Sequence, residues 1–441
     1  MAFAAALLLP ATAADAAPRN ILLIIADDFG VDVAEFYPTS VREVTTPPAP
    51  PMPNLRALAR RGVLFARAWA NPWCSPTRAT ILTGRYGFRT GIGRAWSGER
   101  PPLALSEFTL PEAFRAGSDS GYVLANLGKW HLSGGASDPN RQGWAHYAGM
   151  PPGAGSLPSY FSWSKTVDGA TATSRTYATT DTVNEAAAEI ARAEARDLPY
   201  FLWVAFAAPH FPFHKPPNAL HSRDSLPATG ASNRAYFEAM VEALDTEIGR
   251  LLRSVELATT TVIFVGDNGT TGSVIESPYP SSKDKGTMYQ GGVRVPLLIA
   301  GAGVDEPDRL VTQLVNTADL FLTILELAGI DPADGVPAGT RADGVSLLPY
   351  MENRAHPEPR AWVYAEQFPT RYDARWQRAI GNARYKLIER AAGLSLPTRE
   401  FFDLANDPFE RTNLLGRTLT ATQRTNLTSL DRQLDALLAT R

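Results

Sequence analysis

Residues 20–30 read NILLIIADDFG. The run from Asn20 to Ala26 is apolar without alternation, the pattern of a strand buried on both faces of a parallel sheet. Asp27 and Asp28 follow it directly. In open α/β sheets ligands bind outside the carboxyl ends of the strands, so the residues that follow each strand become the candidates for chemistry.

Working outward, SGYVLANLG reads as a strand followed by Lys129 and His131, and PYFLWVAFAAP as one followed by His210. TTTVIFVG is a strand followed by Asp267 and Asn268, and the strand RVPLLIAG is preceded by SSKDKGTMYQGGV, which carries Lys283 and Lys285. Taken singly these are weak signals. An Asp-Asp pair after a strand is commonly a turn or cap, Asp-Asn-Gly is a common turn, and an isolated histidine is usually a satisfied core or surface residue. Converging on one sheet edge, the carboxylates and the amide oxygen form a hard-oxygen set of the kind Ca²⁺ or Mg²⁺ takes. HExxH, P-loop and Rossmann glycine patterns are absent, which removes the usual zinc, nucleoside triphosphate and dinucleotide readings.

Between the strands lie amphipathic stretches: NLRALARRG, closed by Gly62; TTDTVNEAAAEIARAEARD, with Thr182 and Glu185 spaced as a capping box; RAYFEAMVEALDTEIGRLLRSVE; and TADLFLTILELAG, between a threonine cap and a glycine stop. The alternation predicts an α/β fold with a large, mostly parallel or mixed sheet flanked by helices. Near residues 353–360 the texture changes to proline, charge and short β-like runs such as AWVYAEQF and RYKLIER, then a final helix. The expected division is a catalytic domain over 18–355 and, over 356–441, a small antiparallel sheet with a terminal helix. Residues 1–17 resemble a secretory signal, with an apolar stretch before Ala-x-Ala sites but no basic residue near Met1. Periplasmic or secreted localisation is the corresponding expectation.

The chain of 441 residues is 44% hydrophobic and 20% charged, ordinary for a globular protein able to bury a core. A net charge of -3 excludes binding of nucleic acid or anionic membrane by bulk charge. No segment is a candidate for membrane insertion.

Residues 71–86, NPWCSPTRATILTGRY, hold the only cysteine. A single cysteine forms no internal disulfide and is most often a small buried hydrophobe. Here Pro76 suits the first position of a helix, Ser75 its cap and Gly84 its end. Cys74 is therefore expected just before a helix N-terminus, where dipole and unpaired N–H groups favour anions and Arg78 adds a guanidinium fork. A thiol in that setting is expected to be acidic and reactive.

With these residues in place the sequence resembles the sulfatase family of the alkaline phosphatase superfamily. The likeness is carried by CSPTRATILTGRYGFRTG and by ADDFG, GKWHL, AAPHFPF, GDNG and KGTMYQGGVRVP, with RYKLIERAAGLSLPTREFFDLANDPFERTNLL near the end. These motifs stand in family order over most of the chain. The resemblance implies an alkaline phosphatase-like fold and oxidation of Cys74 to formylglycine by a maturing enzyme. It implies a divalent metal, Ca²⁺ or alternatively Mg²⁺, held by Asp27, Asp28, Asp267, Asn268 and residue 74. One hydroxyl of the hydrated aldehyde would attack the sulfur of a sulfate ester. His210, helped by Lys285, would protonate the leaving alcohol, and His131 would take the proton of the second hydroxyl. Lys129, His210 and Lys285 would contact substrate, and Arg78 and Lys129 would complete the positive field. The substrate implied is a sulfated small molecule or glycan, aryl or carbohydrate.

The sequence departs from the family pattern at Gln290, where an acid is common, at Ser133, at Arg56 and at Phe88, all outside the catalytic set. Substrate contacts are expected in variable loops, over 94–107, 133–160 and 212–232. These loops and their edges carry Trp96, Trp144, Tyr147, Tyr160, Phe161, Trp163 and Phe213, whose bland reading is loop packing. Two alternatives stand: a phosphonate monoester or phosphodiester hydrolase on the same scaffold, and a non-catalytic binder of sulfated glycans.

Overall fold

The computed structural model describes residues 19–441 except 44–48, 119–120, 355–357, 371–373, 392 and 394–395. The signal-like segment 1–17 lies outside the described residues. The described residues form fifteen strands: β1 (Asn20–Ala26), β2 (Gly62–Trp69), β3 (Val123–Gly128), β4 (His146–Gly149), β5 (Trp163–Val167), β6 (Ala170–Ser174), β7 (Tyr200–Ala205), β8 (Thr260–Gly266), β9 (Arg294–Val295), β10 (Leu297–Gly301), β11 (Arg309–Asn316), β12 (Val363–Gln367), β13 (Gln377–Gly381), β14 (Tyr385–Arg390) and β15 (Thr398–Asp403).

The large sheet runs β11-β2-β10-β8-β1-β7-β3-β4-β5-β6, with β9 paired to β2. It is mixed. β1 is parallel to both β7 and β8, whereas β10 is antiparallel to its neighbours β2 and β8. The central position of β1 explains its unbroken apolar run. Leu22, Ile24 and Ala26 enter the core on one face, beneath helices Ala178–Glu194 and Asn233–Leu252. Ile21, Leu23 and Ile25 enter the core on the other, with residues of helices Cys74–Thr83 and Asp319–Leu327. Each fully buried Ile or Leu contributes about 1.5–3 kcal/mol of transfer free energy.

A second, antiparallel sheet of order β12-β13-β14-β15 carries the terminal helix Ala421–Leu438. It is not a separate body. Trp69, Met288 and Val293 share a core with Val363, Ala365, Ile388 and Phe402, and Tyr86 and Phe88 pack with Tyr364 and Leu430.

Local readings differ from the structure in three places. Thr182 does not cap a helix, because the helix begins at Ala178 and the Thr182 hydroxyl donates to the Ala178 carbonyl, 3.0 Å. Glu185 instead pairs with Lys165 at 2.6 Å. The true capping boxes are Thr109 with Glu112 and Thr420 with Gln423. Helix Asp319–Leu327 has no threonine cap, and the Asp319 carboxylate takes the Asn316 N–H at 2.8 Å. Gly62 opens β2 rather than closing a helix, and a side chain there would strike the backbone and Cβ of Ala300.

Candidate active site

The motif residues converge at the carboxyl ends of β1, β3 and β8 and on helix Cys74–Thr83. The parallel register sets Ala26 beside Gly266, so Asp27 and Asp267 emerge side by side. Both are fully buried. Asp28 turns back under them with φ +60°, and its N–H donates to Asp267 Oδ1 at 3.1 Å. A non-glycine residue in this left-handed region is strained. His131 is in the same condition at φ +59°.

Helix Cys74–Thr83 begins at the cysteine itself, capped by the extended Trp73, and ends at Gly84 with φ +69°. Ser75 is therefore not its cap. Its hydroxyl donates to the His131 carbonyl at 2.6 Å and accepts from the Trp96 N–H at 2.9 Å, tying the helix to two site loops. The sequence offered no signal for this, since a serine before proline reads as a cap.

Arg78, completely buried one turn into the helix, forks onto Asp267 Oδ2 through Nε and Nη2, at 3.1 and 2.8 Å, and donates through Nη1 to the Lys129 carbonyl at 2.8 Å. Lys129 donates to Asp27 and to the Gly155 carbonyl, 2.7 Å. Lys285 donates to Asp28. The two ammonium groups lie 3.7 and 3.8 Å from Cys74 Sγ. His210 Nε2 is 3.7 Å from Asp28 Oδ2, and its Nδ1 is 2.8 Å from the Phe211 carbonyl. A carbonyl only accepts, so Nδ1 carries the hydrogen and Nε2 faces the site. By the same logic His131 donates from Nε2 to the Trp96 carbonyl at 3.0 Å, and its buried Nδ1 has no partner. Lys283, the other lysine of that loop, turns away to the Glu410 carbonyl and the Tyr289 ring.

Electrostatics sort these groups. Burial raises the Asp27 pKa, but the neighbouring charges, Lys129 foremost, outweigh it and hold the carboxyl well below the usual range. Burial, then the charge of Asp27, raises Asp267 to about 6 against the pull of Arg78. His131 and His210 are lowered, chiefly by burial. Burial pushes the Cys74 thiol up to about 12 despite Lys129 and Lys285. The expectation of an acidic thiol is thus corrected: burial beside carboxylates raises its pKa, and the dipole and lysines do not offset desolvation.

The donor set suits a divalent cation. Asp27, Cys74 and Asp267 each offer a ligand atom within 4.8 Å of the others, as do Asp27, Asp28 and His210. Asp27 Oδ1 and Asn268 Oδ1 are buried acceptors with no hydrogen-bond partner, a costly condition that a metal ion relieves. Asn268 is oriented by donation to Asp28 Oδ1 and the Gly269 carbonyl, both 2.9 Å, which turns its oxygen free.

Of the loop aromatics, Trp144, Tyr147, Tyr160 and Trp163 are buried packing residues, whereas Phe161 and Phe211 are exposed. Tyr160 braces the site from outside, with its hydroxyl 2.7 Å from the Ala207 and His210 carbonyls.

A mixed sheet flanked by helices, with acids, lysines and a buried cysteine at its carboxyl edge, defines an alkaline phosphatase-like protein. The chain belongs to the sulfatase family: the model described as Sulfatase matches residues 19–330, and that of the N-sulphoglucosamine sulphohydrolase C-terminal region matches 281–438. It is 31% identical over 370 residues to an N-acetylgalactosamine-6-sulfatase of Sus scrofa, a match covering 76% of this chain and 66% of that protein. The chain thus spans about two thirds of that relative's length. It is 29% identical over 404 residues to an ulvan-active sulfatase of Formosa agariphila, covering 83% of this chain and 72% of that one. The crystal structure of Ps i-CgsB in complex with k-i-k-neocarrahexaose shares the fold, with a TM-score of 0.78 at 22% identity over 95% of this chain and 92% of that one. Among the described residues no helix is long and apolar enough to cross a membrane.

Proposed function

We propose that this protein hydrolyses sulfate monoesters of carbohydrates, using residue 74 as formylglycine and one divalent cation, Ca²⁺ in preference to Mg²⁺. The observation that carries this reading is the position of Cys74 Sγ, 3.7 and 3.8 Å from two lysine ammonium groups and beside the carboxylates of Asp27 and Asp267. The Cys-Ser-Pro-Thr-Arg signature at residues 74–78, with its cysteine at the start of a buried helix between two lysines, supports conversion of this side chain by a maturing enzyme. The aldehyde hydrate supplies the attacking hydroxyl, and the cation, held by Asp27, Asp28, Asp267, Asn268 and residue 74, supplies Lewis acidity.

The chain's own charges then set the anion preference. Asp27, Asp28 and Asp267 carry three negative charges; Arg78, Lys129 and Lys285 carry three positive ones. The six sum to zero, so a divalent cation leaves the site doubly positive and ready for a sulfate. Lys129 and Lys285 are placed to hold its oxygens as charge builds on the leaving group. His210 directs Nε2 to the leaving oxygen and serves as its proton donor in the doubly protonated form, which the charge of Asp28, 3.7 Å away, favours, and His131 offers its unpartnered Nδ1 as proton acceptor for residue 74. The carbohydrate assignment is supported by the relatives, whose names specify N-acetylgalactosamine and ulvan. Export to the periplasm or beyond is the localisation we infer from residues 1–17.

Paired kinetics on an aryl sulfate and the matching aryl phosphonate test this. Release of inorganic sulfate with the higher kcat/KM, lost on chelation and regained with Ca²⁺ better than with Zn²⁺, is the expected result. Preference for the phosphonate would transfer the site to phosphoryl chemistry, and binding without turnover would make the protein a lectin-like binder.

A further inference from the structure

Ser75, the residue after Cys74, has no part in the reaction as described so far, yet its hydroxyl sits at a junction. It is fully buried. It donates to the His131 carbonyl at 2.6 Å and accepts the Trp96 N–H at 2.9 Å. The Trp96 carbonyl in turn accepts from His131 Nε2 at 3.0 Å. Ser75 thus closes a ring of three residues drawn from helix Cys74–Thr83, the loop after β3 and the loop after the short helix Gly87–Thr90. A hydroxyl has one proton to give and lone pairs to receive, and here both are used. The two residues whose bond captures the imidazole are tied to one oxygen.

The surroundings hold this ring in place. His131 keeps its φ of +59°, a strained setting that persists only where neighbours over-determine it. Its N–H donates to the Pro152 carbonyl at 2.9 Å. Trp96 is fixed by close packing: a Cβ at Gly134 would lie 2.6 Å from the indole, and one at Gly153 would also strike it. Gly155 packs against the imidazole, where a Cβ would lie 3.0 Å from His131 Nε2, and its carbonyl takes Lys129 at 2.7 Å. With Nε2 held by a carbonyl, the hydrogen stays on that nitrogen. Nδ1, buried and without a hydrogen-bond partner among the described residues, keeps its lone pair.

We propose that Ser75 is a positioning residue for the reaction: its hydroxyl holds His131 in the orientation and tautomer that leave Nδ1 free to take a proton. The proposal rests on the sulfatase reading, in which His131 acts after the alcohol has left, and adds to it the residue that prepares His131. Ser75→Ala removes the hydroxyl with little change in volume and releases the His131 carbonyl and the Trp96 N–H together.

The test has two readouts on the full-length protein. The first does not depend on turnover or on conversion of Cys74. Nitrogen-15 spectra of the histidine rings are recorded, with His131→Gln assigning the signals. Wild type should show His131 as one neutral tautomer with its hydrogen on Nε2, and Ser75→Ala should move both ring shifts toward the average of the two tautomers. An unchanged tautomer in Ser75→Ala overturns the proposal. The second readout is steady-state kinetics on 4-nitrophenyl sulfate, with rates referred to formylglycine content by peptide mass, because residue 75 adjoins the modified position. kcat/KM reports the steps up to loss of the alcohol, whereas kcat includes the later ones. Ser75→Ala should lower kcat at least about tenfold, the scale on which a misplaced catalytic group is felt, and leave kcat/KM within about twofold. His131→Ala should show the same split. Equal losses in kcat and kcat/KM for Ser75→Ala would make the serine a residue of general packing and overturn its positioning role. Should the wild type fail to turn over the ester, or His131→Ala lack the split, the step assigned to His131 fails. The ring spectra then still decide Ser75: a shifted tautomer supports its role and an unchanged one refutes it.

Discussion

At the scale of the residue, the two histidines are set apart by which nitrogen a carbonyl captures. His210 is pinned through Nδ1 by Phe211, and His131 through Nε2 by Trp96. If His210 protonates the leaving oxygen, its removal should matter most for poor leaving groups. His210→Ala is expected to slow alkyl or sugar sulfates by about 10²–10⁴-fold while a nitrophenyl sulfate, whose leaving group needs little protonation, loses far less. Equal losses across a leaving-group series would remove that role. Arg78 is the second decisive residue, because it compensates the buried charge of Asp267. Arg78→Ala leaves that carboxylate without its fork. It should cost about 3–5 kcal/mol, seen as a fall in the denaturant midpoint that added Ca²⁺ partly reverses.

At the scale of the element, β12 links the small sheet to the short helix Gly87–Thr90 that follows helix Cys74–Thr83. Glu366, buried on β12, accepts the Phe88 N–H at 2.7 Å and the Tyr364 hydroxyl at 3.1 Å. Burial raises its pKa from 4.5 to about 7, against the lowering effect of the Phe88 N–H. Between these two pH values the folded protein keeps a proton that the unfolded chain has released. Stability from this group is therefore full below pH 4.5 and falls as pH rises to about 7, by an amount on the order of 3 kcal/mol. Glu366→Gln should flatten that part of the stability–pH curve in equilibrium unfolding. An unchanged slope would mean that the carboxyl is ionised in the folded state. At the C-terminus of helix Cys74–Thr83, Gly84 adopts φ +69°, and a Cβ there would lie 2.7 Å from the Phe321 ring. Gly84→Ala combines left-handed strain of about 1 kcal/mol or more with a core clash, and thermal unfolding should show a lowered Tm.

These elements also show what could be read from the chain. β1 and β8 were legible because central parallel strands bury both faces and need unbroken apolar runs, and each ends in an acid at the site edge. Gly84 was legible as a helix stop because few other residues accept its backbone. Strand direction was not legible: β10 looks like its parallel neighbours, and only its pairing with β2 and β8 makes it antiparallel. β2 went unread, since GVLFARAW mixes an exposed arginine into a mostly buried strand. The start of helix Ala178–Glu194 was misplaced because Tyr177, its first flanking residue, offers no side-chain cap, whereas Thr182 mimics one. The raised pKa of Cys74 could not be read at all, because desolvation depends on residues brought from four separate segments. The same holds for Ser75, Trp73 and Gln367, whose partners are distant in sequence.

At the scale of the whole molecule, Trp69, Tyr86 and Phe88 share cores with β12 and β14 of the small sheet, and the buried Lys386–Glu410 ion pair, 2.8 Å, ties β14 to the chain beside Gln290. One cooperative heat-absorption transition is expected in calorimetry. Two resolved transitions would mean that the small sheet unfolds alone. The central claim concerns residue 74, beside which Asp27, Asp267, Lys129 and Lys285 gather. It is tested most directly by the mass of the proteolytic peptide spanning residue 74, taken from catalytically active protein co-produced with a formylglycine-generating enzyme. The account predicts the mass of an aldehyde in place of the thiol, in a proportion that tracks specific activity across preparations. An unmodified cysteine in fully active protein would contradict it.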